Sequence, residues 1–158
     1  MDPTTFLALA AACAPQVDTL TARALVQVES SFNPWAIGVV GGSLLRQPRH
    51  RAEAQATVAQ LQTDGWDYSV GLAQINQRNF PRLGLTPSTA FEPCRNLQAM
   101  QAVLLDCQQR LDRPNQSRQT TLRQTLSCYY SGNPRTGFEH GYVQRVVDAA
   151  RHRRGAPP

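Results

Sequence analysis

The stretch Ala24-Leu25-Val26-Gln27-Val28-Glu29-Ser30-Ser31-Phe32-Asn33-Pro34-Trp35 sets one carboxylate inside an apolar helical run that breaks off immediately afterwards. Helical spacing puts Leu25 one turn before Glu29, with Val28 beside it, so the carboxyl sits at the edge of the core-facing stripe. Lost hydration there penalises the ionised form, and the pKa is expected to rise. A carboxyl still protonated near neutral pH suits cleavage of a glycosidic bond, whose leaving oxygen needs a proton as the bond breaks. The competing reading is a capping or ion-paired glutamate near a helix end.

The other ten acids, Asp2, Asp18, Glu53, Asp64, Asp67, Glu92, Asp106, Asp112, Glu139 and Asp148, all stand in polar, turn-like or charged contexts. None is an evident second catalytic carboxylate, whereas two-carboxylate hydrolysis needs a partner acid across the scissile bond. A mechanism with one acid fits better.

Outward from Glu29, residues 3–13 read as a short helix with Leu7, Ala8, Ala11 and Ala12 on one face, stopped by Pro15. Thr19 is placed to cap a helix over 20–31, which Pro34 ends by disfavouring the helical conformation at Asn33. Residues 36–40 and 43–46 around Gly41-Gly42 read as a strand, a tight turn and a strand. Residues 51–63 read as an amphipathic surface helix with Ala54, Val58 and Leu61 on one face. Residues 66–76 read as a short strand or turn leading into a helix near 76–80. Helices over 96–111, 121–130 and 142–152 complete the domain, with Thr121 and Gln124 as a capping box. The expectation is one predominantly helical α+β domain over residues 1–154 and a disordered tail over 155–158.

At 158 residues and a net charge of +5, the chain suits one domain, and no stretch is apolar for long enough to span a bilayer. All of its basic charge apart from histidine is arginine; lysine is absent. A basic surface suits nucleic acid, anionic lipid or a cell-wall glycan bearing peptide carboxylates. With aromatics at 7% and no arginine stripe interleaved with them, nucleic acid is the weaker choice.

Cys13, Cys94, Cys107 and Cys128 show no zinc-ligand spacing, so disulfides in an oxidising compartment are preferred to a metal site. His50, His140 and His152 likewise lack partners at ligand spacing. A helix over 96–110 would separate Cys94 and Cys107 by roughly 20 Å, out of disulfide reach. Two connectivities remain open; Cys13–Cys94 with Cys107–Cys128 is preferred, because the latter two would sit at similar heights in an antiparallel helix pair. An export signal is not legible. Met1-Asp2-Pro3 is acidic, and the apolar run from Phe6 to Ala12 is short for a leader. Any leader is expected to have been removed or to take another form.

Glu29-Ser30 followed by Asn33-Pro34, Gly71-Leu72-Ala73-Gln74, Tyr129-Tyr130-Ser131-Gly132, and Tyr142-Val143 before Val146 stand in the order of a known pattern. Together they resemble the soluble lytic transglycosylases, lysozyme-like enzymes of the bacterial cell wall. Cys13-Ala14-Pro15, the 36–42 stretch and Pro93-Cys94-Arg95-Asn96-Leu97 are most similar to the small periplasmic members of conjugation and type IV secretion systems. The resemblance implies a lysozyme-like fold with a small β element lining a substrate groove. It also implies a periplasmic monomer without cofactor or metal, acting on peptidoglycan strands beside secretion-system components.

On this resemblance Glu29 is the sole acid and base for the β-1,4 bond between N-acetylmuramic acid and N-acetylglucosamine. It protonates the bridging oxygen, then deprotonates the sugar's 6-hydroxyl, which attacks C1 and closes a 1,6-anhydro ring. Ser30 is expected to orient the carboxyl or the substrate, Gly71 to allow close backbone approach, Leu72 to pack on the sugar, and Gln74 to bond glycan polar groups. Tyr129 is expected near the acid, Ser131 in a loop at the cleft, and Tyr142 with its hydroxyl toward the substrate. Tyr130 departs from the family pattern, in which many members have asparagine. The rival readings are a hydrolase on the same fold and a glycan-binding assembly subunit without activity.

Overall fold

The first helix, α1 (Pro3–Cys13), starts at Asp2, whose side chain accepts the amides of Thr4 and Thr5. It buries Phe6, Ala10 and Cys13 rather than the Leu7, Ala8, Ala11 and Ala12 face. The face is rotated because Phe6 packs edge-on against Phe32, with centroids 5.1 Å apart, and Cys13 is bonded to Cys94. The next helix, α2 (Thr19–Ser30), is capped by Asp18, one residue before the expected Thr19, through a 2.9 Å bond from the Thr21 amide. It ends three residues before Asn33, with Ser31 and Phe32 both left-handed at φ 50° and 63°. Two consecutive non-glycine residues in that region cost about 1 kcal/mol each. Burial of Phe32 offsets this cost, so the strained turn directly after Glu29 is held by core packing.

The computed structural model describes residues 1–152, so the tail over 155–158 lies outside the described residues. The fold is predominantly helical α+β. Its strands β1 (Ile37–Val39), β2 (Tyr68–Val70) and β3 (Ile75–Asn76) form one antiparallel sheet in that order, with Ile37 opposite Val70 and Ser69 opposite Asn76. The expected local hairpin across Gly41-Gly42 does not form. Ile37, Tyr68 and Val70 share buried surface, whereas Leu45 would bring a fully exposed side chain to a second strand. In its place the Gln47 amide completes the outer edge of β1, accepting from the Ile37 N–H at 2.8 Å and donating to its carbonyl at 2.9 Å.

Helix α3 (Arg51–Thr63) turns Ala54, Val58 and Leu61 into the core. A 3-10 turn (Gln77–Asn79) runs from β3 into α4 (Phe80–Leu83), and α5 (Pro93–Leu111) is the long central helix. Helix α6 (Arg118–Ser131) begins three residues before the expected 121. Ser117 caps it, and the Thr121 hydroxyl accepts from Gln116 instead of forming a capping box with Gln124. Short α7 (Thr136–Glu139) and α8 (Tyr142–Arg151) close the domain. Disulfides join Cys13 to Cys94, tying α1 to α5, and Cys107 to Cys128, tying α5 to α6. No helix among the described residues is long and apolar enough to cross a membrane.

Candidate active site

A groove of about 490 Å³ separates the sheet from the ends of α6 and α7, and Glu29 opens into it from the last turn of α2. The sheet wall carries Gly38, Asp67, Ser69, Gln74 and Asn76; the helical wall carries Tyr129, Tyr130, Ser131 and His140. Burial pushes the Glu29 carboxyl up to about 7, against the Tyr142 hydrogen bond and the Arg145 charge, which both favour its ionised form. The Tyr142 hydroxyl donates to Glu29 Oε1 at 2.6 Å. That leaves Oε2 as the oxygen able to carry a transferable proton. Burial, followed by the Glu29 charge, holds both Tyr129 and Tyr142 well above the usual tyrosine range, so both phenols remain donors.

Packing of α2 against α8 in the core brings Tyr142 to Glu29 across most of the chain. The turn between β2 and β3 is fastened from beneath by Asn96 of α5, which is fully buried. Its Oδ1 accepts from the Ala73 amide at 2.8 Å, and its Nδ2 donates to the carbonyls of Val70 and Ala90. Tyr129 adds a 2.6 Å bond to the Ala73 carbonyl, and Ser30 a 2.7 Å bond to the Leu72 carbonyl. The acid, the turn and α6 are thereby tied into one unit.

Residues 6–149 match the family described as the transglycosylase SLT domain. This chain belongs to that family. Among relatives, the type IV secretion system protein virB1 of Brucella suis biovar 1 (strain 1330) is 48% identical over 152 residues, covering 92% of this chain and 63% of the relative. The protein virB1 of Agrobacterium fabrum (strain C58) is 39% identical over 140 residues, covering 87% of this chain and 56% of the relative. The chain thus spans less than two thirds of the length of these relatives. No solved structure matches it.

Within this SLT domain the expected motif residues divide by what their side chains can reach. Leu72 is fully buried and offers a sugar no surface; it packs in the core, which corrects the expected contact. Gly71, at φ 82°, is close to Asn96 rather than to the groove, and a Cβ there would collide with the Asn96 amide. The hydroxyl proton of Ser30 is used on backbone carbonyls, not on Glu29. The Tyr142 hydroxyl points to Glu29 and its ring is buried, so it serves the acid instead of reaching the substrate directly. Gln74 lines the groove with its amide nitrogen bonded to the carbonyls of Ala36 and Gly71. Ser131 also lines it, donating to the Ser127 carbonyl at 2.8 Å.

The site of this SLT-family chain also uses residues that the sequence reading did not single out. Asn96 stands in the sequence only as part of the Pro93–Leu97 motif, and Arg145 carries no signal beyond its helical spacing from Tyr142. Asp67 is the other acid on the groove wall among the described residues, with Oδ1 held at 2.9 Å by Asn76 Nδ2. No group of three histidine, cysteine or acidic side chains among the described residues is placed to hold a metal.

Proposed function

We propose that this chain is a peptidoglycan lytic transglycosylase that opens the cell wall locally for an envelope-spanning secretion apparatus, acting in the periplasm. The observation that carries this reading is Glu29, a carboxyl raised to about 7 and lining an open groove, with one oxygen held by Tyr142 and the other without a hydrogen-bond partner among the described residues. Protonated, Glu29 donates to the bridging oxygen between N-acetylmuramic acid and N-acetylglucosamine as the bond to C1 breaks. The leaving sugar carries that proton away. Glu29, now ionised, takes the proton of the 6-hydroxyl as that oxygen bonds to C1, and the carboxyl is restored without water entering. A pKa near neutrality suits both halves of the cycle, because the same group must give and then take a proton. The Brucella relative named for type IV secretion supports the cellular setting, and the two disulfides fit an oxidising compartment.

Asp67 favours a second reading, hydrolysis, in which it would act with Glu29 as the second carboxylate. Purified chain is expected to release soluble fragments from insoluble peptidoglycan, and Asp67→Asn to slow that release by no more than about tenfold, in line with a substrate hydrogen bond. No release by the wild type would leave a binding subunit. Loss of all activity in a folded Asp67→Asn protein would favour the hydrolase.

A further inference from the structure

Tyr130 is the residue by which this chain departs from the family pattern, and the structure gives it a definite place. Its ring lies almost parallel to that of Tyr142, with centroids 4.7 Å apart and planes 17° apart. Tyr142 is the phenol that holds Glu29 Oε1. The Tyr130 hydroxyl is 2.9 Å from His140 Nδ1, and the two rings meet edge to face at 5.7 Å. Arg145 closes the arrangement, with Nη1 donating to the His140 carbonyl at 3.1 Å and its guanidinium 5.9 Å from the Tyr142 ring centroid.

Tyr142 is the first residue of α8, and the residue before it, Gly141, provides no side-chain cap. The direction of its phenol therefore depends on lateral packing, and Tyr130 supplies a whole ring face of it. One face of Tyr130 is occupied by Tyr142, so part of its surface is committed to that ring. We propose that Tyr130 is a positioning residue for the reaction: by stacking on Tyr142, with its hydroxyl anchored on His140, it aims the Tyr142 phenol at Glu29. The catalytic consequence rests on reading Glu29 as the acid; the structural consequence does not.

The titratable and charged groups around Glu29 are Tyr129 and Tyr130 from α6, His140 after α7, Tyr142 and Arg145 from α8, and Asp67 on the groove wall; of these the Tyr142 hydrogen bond and the Arg145 charge favour its ionised form. The Tyr142 bond favours ionised Glu29, so loosening it moves the Glu29 titration upward. The test is a carbon-13 NMR titration of the Glu29 carboxyl in the free protein, with His140 followed by its own resonance. Tyr142→Phe sets the full effect. Tyr130→Ala is expected to raise the Glu29 midpoint by about 0.5 pH unit, and Tyr130→Phe, which keeps the stack, by less. On peptidoglycan, Tyr130→Ala should lower kcat about fivefold and change KM less than twofold, because the residue acts through the acid and not on the sugar. Should Tyr130→Ala fail to fold, Tyr130→Leu carries the same expectations.

A Glu29 midpoint unmoved by Tyr130→Ala overturns the proposal, whether or not Tyr142→Phe moves it. So does a rise in KM with kcat intact. If the wild type cleaves nothing, the proposed function fails while the NMR titration still decides whether Tyr130 aims Tyr142.

Discussion

Glu29→Gln is expected to slow release of soluble fragments from peptidoglycan by about a thousandfold or more and, at pH 8, to make the protein more stable. The amide keeps the size of the side chain and its acceptor for the Tyr142 hydroxyl but cannot give or take a proton. General acid or base catalysis contributes about a hundred- to ten-thousandfold, and Glu29 is proposed to serve as both. The stability effect follows from the same burial. The folded-state pKa, about 7, lies above the usual glutamate value of about 4.5 that applies to the unfolded chain. The folded protein therefore holds the proton more tightly, and stability falls as pH rises from about 4.5 to 7 and stays reduced above that. The loss is no more than about 3 kcal/mol, since the side chain keeps some contact with water. Glutamine carries no such penalty. Calorimetry should find the two proteins closest at pH 4.5 and the variant melting higher at pH 8. A variant that keeps a tenth of the wild-type rate, or a melting difference that does not change with pH, would contradict this role for Glu29.

Asn96→Ala is expected to cost about 4 kcal/mol of stability. The side chain is fully buried, and its loss strands the Ala73 N–H and the carbonyls of Val70 and Ala90 away from water. Each unsatisfied buried group costs about 1–3 kcal/mol, less than additively when the backbone relaxes. Relaxation would also displace the turn that Ser30 and Tyr129 grip through the carbonyls of Leu72 and Ala73. Activity should therefore fall further than the folded fraction explains. Urea unfolding measures the first effect, and rates corrected for folded fraction measure the second. A loss below about 1 kcal/mol would mean that the turn holds without Asn96.

The place of Glu29 at a helix end beside the core is legible because two local signals converge on it, the helical spacing from Leu25 and the chain break at Ser31. Helix rise excludes bridging Cys94 to Cys107 along one helix, and an expected antiparallel helix pair favours Cys107–Cys128 among the two connectivities left; the structure has that pairing. Other features depend on contacts that no local pattern encodes. Asn96 reads as an ordinary polar position near a helix start until the strands carrying Val70 and Ala73 arrive above it. Leu72 and Gly71 stand in a motif that suggests the substrate, yet their side of the turn faces the core. The double glycine after Val40 suits a hairpin, but β1 finds its apolar partner in β2, and Gln47 takes the place of a neighbouring strand. The motif puts Tyr142 near the site, but the bond from its hydroxyl to Glu29 forms only where α2 and α8 pack together.

The proposal that a lone acid works with the sugar's own hydroxyl is tested most directly by the mass of the muropeptides released from purified peptidoglycan in heavy-oxygen water. Every new muramic acid end should be a 1,6-anhydro ring, lighter by one water than a hydrolysis product and free of label. Reducing ends carrying heavy oxygen would show that water is the nucleophile and would contradict the transglycosylase mechanism.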